Sequence, residues 1–280
     1  MYPEKLEFEK GTVYYLESDC FSNTPAHLVH AYPHPHYNIK MHTHQFYEIN
    51  LIVAGEGRHY VGDASLPARV GDVFVLPPEV AHGYHSDGRL DIFHVLLRAA
   101  FMQRYREELS DLPGFSLLFD VEPQVRASSG QSWHLHIPAH IREQLNTQAE
   151  RIARAEQNAE YAYANVLTLA FIGRLGELLR QSVQENTLPV QETGVLRVME
   201  YIKENIDQKL TLSLLAAKAN MSVATLSRHF RDTLHASPMQ YVMQCRLSAA
   251  RELILKGGKS KSEVAQLCGF FDVSHMNKYL

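Results

Sequence analysis

The tail of the chain, from Leu210 onward, contains the same pattern of apolar and polar residues twice, and this repetition constrains the fold more than any other feature. In the first copy Leu212, Leu215 and Ala216 form a short apolar stripe, after which Ser222 offers a hydroxyl that suits a helix N-cap. The helix that follows has three apolar residues on one face: Val223, Leu226 and Phe230. The pattern predicts two short helices joined by a tight turn, which is a helix-turn-helix.

The opposite face of the second predicted helix carries small, polar and basic residues. These residues are Ala224, Thr225, Ser227, Arg228 and Arg231. Small side chains allow a helix to lie deep in the DNA major groove, and the fork of Arg228 matches guanine O6 and N7. This face is therefore predicted to read DNA, with Arg228 contacting a base.

A second copy of the pattern follows a predicted helix over residues 239–256. Its apolar stripe is followed by a turn at 268–270, and Asp272 or Ser274 can cap the next helix. In that helix Met276 is predicted to face the core, and the outward residues are Ser274, Asn277 and Lys278. Two such units joined by one helix can place two reading helices in successive major grooves, about 34 Å apart.

Charge is divided unevenly along the chain. The 280 residues carry a formal net charge of −4. Residues 1–189 hold 15 basic and 23 acidic side chains, whereas residues 190–280 hold 12 basic and 8 acidic ones. A mildly basic tail behind an acidic front indicates a tail that binds a polyanion, which agrees with the prediction that it reads DNA.

The residue pattern of the first part of the chain is typical of a β-barrel or sandwich. Short runs rich in Val, Ile, Tyr and Phe recur up to Leu97 and are separated by Gly, Asp and Pro. Strands are predicted at 46–53, 57–61, 73–76 and 91–97, with a turn at Gly55–Gly57. Several short strands at this spacing predict a sandwich or barrel.

Helices are predicted after an irregular stretch at 100–137. From Ala139 onward Leu145 and Ile152 lie at helical spacing, and residues 161–179 are strongly apolar. In the latter stretch the apolar positions at steps of three and four are Leu167, Phe171, Leu175 and Leu178. Such amphipathic helices need a partner face, which is either the strand domain of the same chain or a second copy in a dimer.

These sequence patterns divide the chain into four predicted segments: a strand domain at 1–137, a helical dimerisation segment at 138–183, a polar linker at 184–193 and a helical domain at 194–280. No stretch approaches 18 consecutive apolar residues, and the first ten residues lack an apolar run, so neither a membrane span nor a signal peptide is expected. Cys20, Cys245 and Cys268 lie far apart, which favours reduced thiols in the cytoplasm.

A group of histidines marks the strand domain. His42, His44 and Glu48 form a His-x-His-x3-Glu pattern, and His82 ends a later Gly-x5-Pro-x4-His. Strand alternation sends His42 and His44 to one face, where a carboxylate and a third imidazole could complete a site for Zn, Ni, Fe or Mn. The alternative is a metal-free ligand pocket, in which the same polar groups bind hydroxyl-rich molecules.

The tail resembles the AraC/XylS family of bacterial transcription regulators over residues 195–280. The first half of this likeness is carried by Leu212, Leu215, Ala216, Met221-Ser222, Leu226-Ser227-Arg228, Phe230-Arg231, Ser237-Pro238, Tyr241 and Arg246-Leu247. The second half is carried by Val264-Ala265, Cys268-Gly269-Phe270, Asp272, Ser274 and Lys278. The resemblance implies a bipartite DNA-binding domain whose base-reading residues fall on Ala224, Ser227 and Arg228, then on Val273, Ser274, Asn277 and Lys278.

Two features depart from the family pattern. Met276 replaces a usual aromatic residue. Family members also continue through the rest of the second reading helix and a Gly-x-Ser/Thr-Pro turn, whereas this chain ends at Leu280. Because a free helix end of about two turns is marginal without packing, this chain is expected to protect one major groove well in a footprint and the next poorly.

The histidine spacing resembles the two metal motifs of the cupin barrel, and residues 30–150 resemble the sensor of rhamnose-responsive AraC regulators. The second likeness is carried by Glu48 to Val53, Gly55-x-Gly57, His59, Gly71-Asp72 and Gly130-Gln131-x-Trp133. It implies a cupin-like domain that often keeps these motifs without metal or catalysis, and it favours a sugar as effector. His34 and His36 have no place in the pattern and are predicted to lie on a surface loop.

The predicted fold class is α+β, with an N-terminal cupin-like β-barrel, a helical dimerisation segment and a C-terminal all-α double helix-turn-helix domain. The predicted function is DNA-binding transcriptional regulation and not catalysis, in response to a small molecule, by preference a sugar. Its pocket residues are His42, His44, Glu48 and His82, which would also hold a metal if one were bound, although no cofactor is expected. Expected partners are promoter DNA, RNA polymerase and a second copy, with no membrane. Two alternatives remain open: a metal-dependent cupin enzyme with a helical appendage, and a sugar-binding module impaired in DNA binding.

Overall fold

The computed structural model of the chain describes residues 13–62, 64–123, 126, 134–184, 190–234 and 236–280. The chain divides into two compact units, unit 1 over Met1–Glu185 and unit 2 over Asn186–Leu280. The predicted strand domain and the predicted dimerisation segment therefore belong to one unit. The Gly130-Gln131-x-Trp133 part of the sensor likeness lies outside the described residues.

Unit 1 is built on a seven-stranded sheet. Its strands are β1 (Val13–Tyr15), β2 (Val29–His44), β3 (Tyr47–Val61), β4 (Ala64–Arg69), β5 (Asp72–Leu76), β6 (His82–Leu97) and β7 (Leu135–His136), with a short helix α1 (Glu17–Cys20) between β1 and β2. The strands follow the order β1-β2-β6-β3-β5-β7, and β4 pairs with β3. Only the β1–β2 pair is parallel among the strand pairs of the described residues. This sheet-rich architecture confirms the predicted cupin-like domain.

β3 and β6 are longer than the predicted strands, β2 matches none of them, and all three contain register shifts in their pairing. β2, β3 and β6 contain 16, 15 and 16 residues. The predicted turn at Gly55–Gly57 is wrong, because β3 runs through it with a register shift against β6 between Gly55 and Arg58. Gly55 has φ +77°, and a Cβ at this position would lie 2.0 Å from the carbonyl oxygen of Arg89. Glycine therefore serves here to let two strands approach closely at a bulge.

The core of unit 1 forms where the apolar sides of the bent strands meet. One buried cluster contains Ile52, Leu66, Ala68, Phe74, Tyr84, Leu90 and Ile92. All five residues of β5 are buried. Its last four residues, Val73–Leu76, therefore appear in the sequence as an uninterrupted apolar run, without the alternation of a half-exposed strand.

His34 and His36 lie on β2, so their prediction as a surface loop is wrong. The misleading signal is Pro33 and Pro35, which alternate with them and which normally interrupt a strand ladder. These prolines are tolerated because, within the described part of the chain, one edge of β2 is largely free of strand pairing. On that edge β1 pairs with β2 only at His42–His44.

The stretch predicted to be irregular, 100–137, begins with helices. These are α2 (Ala99–Arg104), α3 (Arg106–Asp111) and a π-helix (Leu117–Val121). α2 buries Phe101 and α3 buries Leu109. A helix of six residues with one buried side chain is too short for apolar periodicity to show in the sequence, which explains the missed prediction.

Two long helices complete unit 1, α4 (Ala139–Gln157) and α5 (Tyr161–Gln184), as predicted. Both pack against β2, and they pack against each other. The predicted apolar stripes are already covered inside this unit: Leu145, Ile152, Phe171, Leu175 and Leu178 are at most 6% exposed, and Leu167 is half-buried. Packing within one chain is therefore confirmed, and the argument that these stripes need a second copy for burial is wrong.

Helix α5 is apolar enough to resemble a membrane span. Its stretch Tyr161–Ser182 has 22 residues and a mean hydropathy of 1.2, and half of the most apolar window is buried inside unit 1. A core helix covered on one side by its own domain has this composition.

Unit 2 is helical throughout its described residues. Its helices are α6 (Val190–Glu204), α7 (Leu212–Lys218), α8 (Val223–Leu234), α9 (Pro238–Lys256), α10 (Lys261–Leu267) and α11 (Val273–Asn277). The predicted linker at 184–193 needs correction at both ends: Gln184 belongs to α5, residues 190–193 belong to α6, and 185–189 lie outside the described residues. Gln and Glu are good helix formers, so a polar composition does not exclude a helix.

Side-chain caps set the starts of both predicted reading helices. The Ser222 hydroxyl accepts a hydrogen bond of 3.1 Å from the backbone N–H of Thr225 at the start of α8. The Asp272 carboxylate accepts one of 2.7 Å from the backbone N–H of His275 at the start of α11. Of the two caps predicted for the second reading helix, Asp272 is the one used. Both bonds satisfy backbone donors that a helix N-terminus otherwise leaves free.

Helix α9 connects the two helix-turn-helix pairs. Its Arg246 side chain donates hydrogen bonds to the carbonyl oxygens of Ile206 (2.9 Å) and Gln208 (2.7 Å), which fastens α9 to the loop before α7. On the other side α9 helps to enclose a core formed by Ala250, Val264, Ala265, Cys268, Phe270 and Met276. Unit 2 thus consists of two small helical pairs held on one long helix.

Candidate functional site

A cavity of about 460 Å³ opens in unit 1, and we call it the histidine pocket. It contains all four side chains that the sequence selected: His42, His44, Glu48 and His82. Its ring-bearing lining residues are Tyr15, Tyr32, His34, His42, His44, Phe46, His82, Tyr84 and His94. A pocket of this size, walled by rings with a few converging polar groups, is typical of a small-molecule site.

Glu48 on β3 is the centre of the polar groups in the histidine pocket and is 4% exposed. One of its oxygens lies 3.2 Å from Nε2 of His44 on β2 and 3.0 Å from Nε2 of His82 on β6. The other oxygen lies 2.7 Å from Nδ1 of His94, also on β6. The His42 ring is 4.2 Å from the His82 ring between centroids. Three neighbouring strands therefore converge on a single carboxylate.

Backbone carbonyls fix one proton on three of the imidazole rings. Nδ1 of His42, His44 and His82 lies 2.7–3.0 Å from the carbonyl oxygen of the residue two positions away in the chain. A carbonyl oxygen only accepts, so each Nδ1 carries a hydrogen and each Nε2 is a lone-pair atom while the ring is neutral. Two lone pairs this close to a carboxylate oxygen repel it. The contacts at Glu48 are therefore favourable when a proton or a cation lies between these atoms.

The donor set of this cluster fits a divalent metal ion. His42, Glu48 and His82 each offer one ligand atom, and these atoms lie within 4.8 Å of one another. Imidazole nitrogen combined with a carboxylate suits Zn, Ni or Fe, and hydrogen bonds from Nδ1 to carbonyls orient rings as in known metal sites. Such an ion would polarise an oxygen atom of a bound ligand.

Glu48 is ionised in the folded protein. Burial opposes its ionisation, but the hydrogen bonds from His44, His82 and His94 outweigh that effect and hold the pKa of Glu48 well below its usual value. The pocket therefore contains a fixed negative charge surrounded by imidazoles.

Acidification is expected to destabilise unit 1 through His42. Burial, reinforced by the neighbouring His82, lowers the pKa of His42 to about 4, whereas an unfolded histidine titrates near pH 6.5. Between these values the unfolded chain binds a proton that the folded chain does not, so stability falls as the pH drops from about 6.5 towards 4. Urea unfolding midpoints at pH 7 and pH 5 measure this loss, and it is expected to be smaller in His42→Gln. An equal loss in that variant would contradict the assignment to His42.

Sequence reasoning missed several residues of the pocket. His94 contacts Glu48, and Asn50 donates a hydrogen bond of 3.1 Å from Nδ2 to the Tyr84 hydroxyl. The Asn50 Oδ1 atom is buried without a hydrogen-bond partner among the described residues, and Asn50 lines the pocket. His94 and Asn50 both interrupt apolar strand runs. A polar residue inside a buried apolar run is the signal in the sequence that marks both positions.

His59 lies behind the wall of the histidine pocket. Its ring stacks on Tyr84 at 4.6 Å, and its Nδ1 is 3.5 Å from Nη1 of Arg126. Arg126 itself donates a 2.8 Å bond to Glu122, and both side chains are 1% exposed. Burial and the Arg126 charge hold the pKa of His59 well below its usual value. His59 is thus a neutral ring that supports Tyr84, and it does not line the pocket.

Unit 2 presents the predicted reading residues of α8 on its surface side. Leu226 and Phe230 are fully buried. On the other side Ala224, Arg228 and Arg231 are exposed, and Thr225 and Ser227 are half-buried. The Thr225 hydroxyl lies 2.8 Å from the Ser222 hydroxyl, so it also supports the N-cap. The outward placement expected for Arg228 is therefore observed.

Helix α11 repeats this arrangement in the second helical pair. Met276 is fully buried, and Val273 is half-buried against the same core. The exposed predicted residues are Ser274, Asn277 and Lys278. The structure thus gives unit 2 two outward faces of small, polar and basic residues.

Two family models match the chain. Residues 24–161 match the AraC-like ligand binding domain, and residues 215–280 match a helix-turn-helix domain. The first range contains the histidine pocket, and the second contains α8 to α11.

Similar proteins include two regulators and a solved structure. An uncharacterized HTH-type transcriptional regulator, YfiF, from Bacillus subtilis is 27% identical over 84% of this chain and 73% of its own. The HTH-type transcriptional activator RhaS from Pectobacterium carotovorum is 25% identical over 94% of this chain and 91% of its own. The crystal structure of a DNA-binding transcriptional dual regulator from Escherichia coli is 32% identical, covers 31% of this chain and 81% of its own, and has a TM-score of 0.28.

Proposed function

We propose that a small molecule bound in the histidine pocket controls promoter binding by unit 2. The chain belongs to the AraC/XylS family of DNA-binding transcriptional regulators. The observation that carries this proposal is the presence, in one chain, of a ring-lined pocket and two outward reading faces joined by α9. A bound effector can change DNA binding only through different affinities for two conformations of the protein. The pocket residues that we assign to the effector are His42, His44, Glu48 and His82.

A sugar is the effector class that we propose. The sequence of unit 1 resembles the sensors of rhamnose-responsive regulators, which supports this class. Imidazole nitrogens, the Asn50 carbonyl and tyrosine hydroxyls supply donors and acceptors for several sugar hydroxyls, and the rings offer flat apolar surfaces. The volume of about 460 Å³ falls in the range of small-ligand pockets.

Two measurements on the full chain test this proposal. A thermal-shift screen of monosaccharides should find a sugar that raises the unfolding temperature, because a ligand of the folded state stabilises it by mass action. Selection from a randomised duplex library at stated salt should enrich a DNA sequence, and the same sugar should change its affinity. No stabilising sugar would contradict the effector class, and no enriched sequence would contradict the DNA-binding function.

Arg228 is expected to read one base. Arg228→Ala should cost about 1–3 kcal/mol of binding free energy and relax the preference at one position of the enriched sequence, because the guanidinium fork is lost. Arg228→Lys keeps the charge without the fork, and it should bind with similarly relaxed preference. A uniform loss of affinity over all DNA sequences would show instead that Arg228 contacts phosphate.

We propose that the protein is a homodimer, paired through an exposed apolar face of α5. Val166 and Tyr163 lie one turn apart there and are 57% and 47% exposed. Val166→Glu should convert the dimer to a monomer in sedimentation at micromolar concentration, because a buried unpaired charge is costly. Gln144→Glu adds the same charge at an exposed position of α4 and should leave the dimer intact. A wild-type monomer would contradict this proposal.

A metal-loaded pocket is the second candidate, favoured by the Nε2 atoms of His44 and His82, which lie 3.2 and 3.0 Å from Glu48. In this case the cluster holds a divalent ion, and the effector binds next to it. Metal analysis of the purified chain would then give about one equivalent, and a chelator would lower the unfolding temperature. We propose the metal-free pocket as the first candidate, and a stoichiometric metal would replace it with the second.

The remaining aspects of the proposal concern partners and location. We propose that the protein acts in the cytoplasm on promoter DNA and RNA polymerase, and that it has no enzymatic activity of its own. The family membership supports this setting.

A further inference from the structure

The two helix-turn-helix turns of unit 2 differ in length by one residue. The first turn connects Lys218 to Val223 through four residues, and the second connects Leu267 to Val273 through five. The turns begin in the same way: the backbone N–H of Met221 donates to Ala216, and that of Phe270 donates to Ala265. Met221 and Phe270 are therefore equivalent, and the additional residue of the second turn is Phe271.

Phe271 has no packing role in unit 2. Its side chain is 92% exposed, the most exposed large apolar side chain among the residues that the structure describes. In contrast, the side chains of the two equivalent residues, Phe270 and Met221, point into unit 2. Phe270 is 5% exposed in the core, and the Met221 methyl group lies beside Gly194. A phenyl ring at this exposure buries little apolar surface within unit 2, so its apolar area remains available to a molecule bound at this surface.

The backbone holds Phe271 in a defined place. On one side Phe270 is anchored in the core, and its N–H bonds to Ala265 at 2.9 Å. On the other side the Asp272 carboxylate caps α11. The ring therefore stands at the N-terminal end of the second reading helix, next to Val273 and Ser274. In helix-turn-helix proteins this end of the helix contacts base edges.

Thymine is the base that suits such a side chain. In the major groove the edges of the bases present hydrogen-bond donors and acceptors, and the only apolar group is the C5-methyl of thymine. The thymine methyl group is therefore the one that offers a phenyl ring an apolar contact that removes both surfaces from water. We infer that Phe271 is a specificity-determining residue that packs against a thymine methyl group in the part of the DNA site bound by α11. This inference rests on the proposed DNA-binding function.

The test uses the full chain and the duplex that it enriches from a randomised library. Each thymine is replaced in turn by deoxyuridine, which removes only the methyl group. Wild-type affinity should fall about three- to fivefold at one or two thymines, which corresponds to the burial of one methyl group. Phe271→Ala should bind the original duplex more weakly by at least this factor and should no longer distinguish thymine from deoxyuridine at those positions.

Two control variants and two outcomes make this test decisive. Phe271→Leu keeps an apolar contact and should keep part of the methyl preference. Leu267→Ala removes another exposed apolar side chain, 47% exposed on α10, and should behave as wild type. If a duplex is enriched but wild type and Phe271→Ala are equally sensitive to the methyl group, the role of Phe271 is overturned while the proposed DNA-binding function stands. A failure to enrich any duplex would overturn the proposed function and this inference with it.

Discussion

Replacing Glu48 by alanine is expected to lower the free energy of unfolding of unit 1 by about 3–5 kcal/mol and to abolish the response to the effector. Glu48 is 4% exposed, and it binds three imidazoles from two neighbouring strands. Its removal leaves these rings without their acceptor in a buried position and opens a cavity between β2, β3 and β6. Urea denaturation followed by circular dichroism measures the loss.

Two variants separate charge from volume in this prediction. Glu48→Gln keeps the size of the side chain but loses its charge, so it should recover part of the stability and still lack the effector response. Glu56 lies on the same strand at an exposed position. Glu56→Ala should therefore change the free energy of unfolding by less than about 0.5 kcal/mol. If Glu48→Ala cost less than about 1 kcal/mol, the carboxylate would not organise the pocket.

Replacing Gly269 by alanine is expected to destabilise unit 2 by about 3–5 kcal/mol and to remove most DNA binding. Gly269 has φ +71°, which alanine adopts only with strain. A Cβ there would also lie 2.0 Å from the carbonyl oxygen of Ile206 and 2.8 Å from the guanidinium of Arg246. The turn would have to move away from α9 and displace Phe270 from the core.

The glycines at the end of α9 supply a matched control. Gly257 and Gly258 have φ +70° and +78°, yet no atom lies within 4 Å of a Cβ built on either of them. Gly258→Ala should therefore show the backbone strain alone, about 1 kcal/mol, and bind DNA almost normally. If Gly269→Ala and Gly258→Ala lost equal stability, close packing of the second turn would not explain the effect.

Unit 2 follows from local sequence signals. The caps Ser222 and Asp272, the stripe that ends in Phe230 and the inward Met276 all act within one or two helical turns, where periodicity and capping are visible in a sequence. The outward residues follow automatically, because the apolar face fixes the rotation of each helix. The different lengths of the two turns are a smaller feature, and they become visible only when the hydrogen bonds are compared.

Unit 1 was less accessible to sequence reasoning, because its determining contacts are between distant segments. In the sequence alone, Gly55 indicates a turn. The close approach of the Arg89 backbone to Gly55 shows that the chain forms a bulge there. Motif spacing did identify His42, His44, Glu48 and His82, which the fold brings together. His94 and Asn50 reach the same pocket through the strand register, which no local pattern reveals.

The length of α9 has a consequence for the DNA. Its 19 residues span about 28 Å and separate the two reading helices as a rigid spacer. The two half-sites must then face the same side of the duplex, because one turn of DNA takes about 10 base pairs. Insertion of about half a turn between them would rotate one half-site to the far side, where a helix of fixed length cannot reach it. We therefore expect the promoter to be selected by the rotational phase of its two halves as well as by their bases.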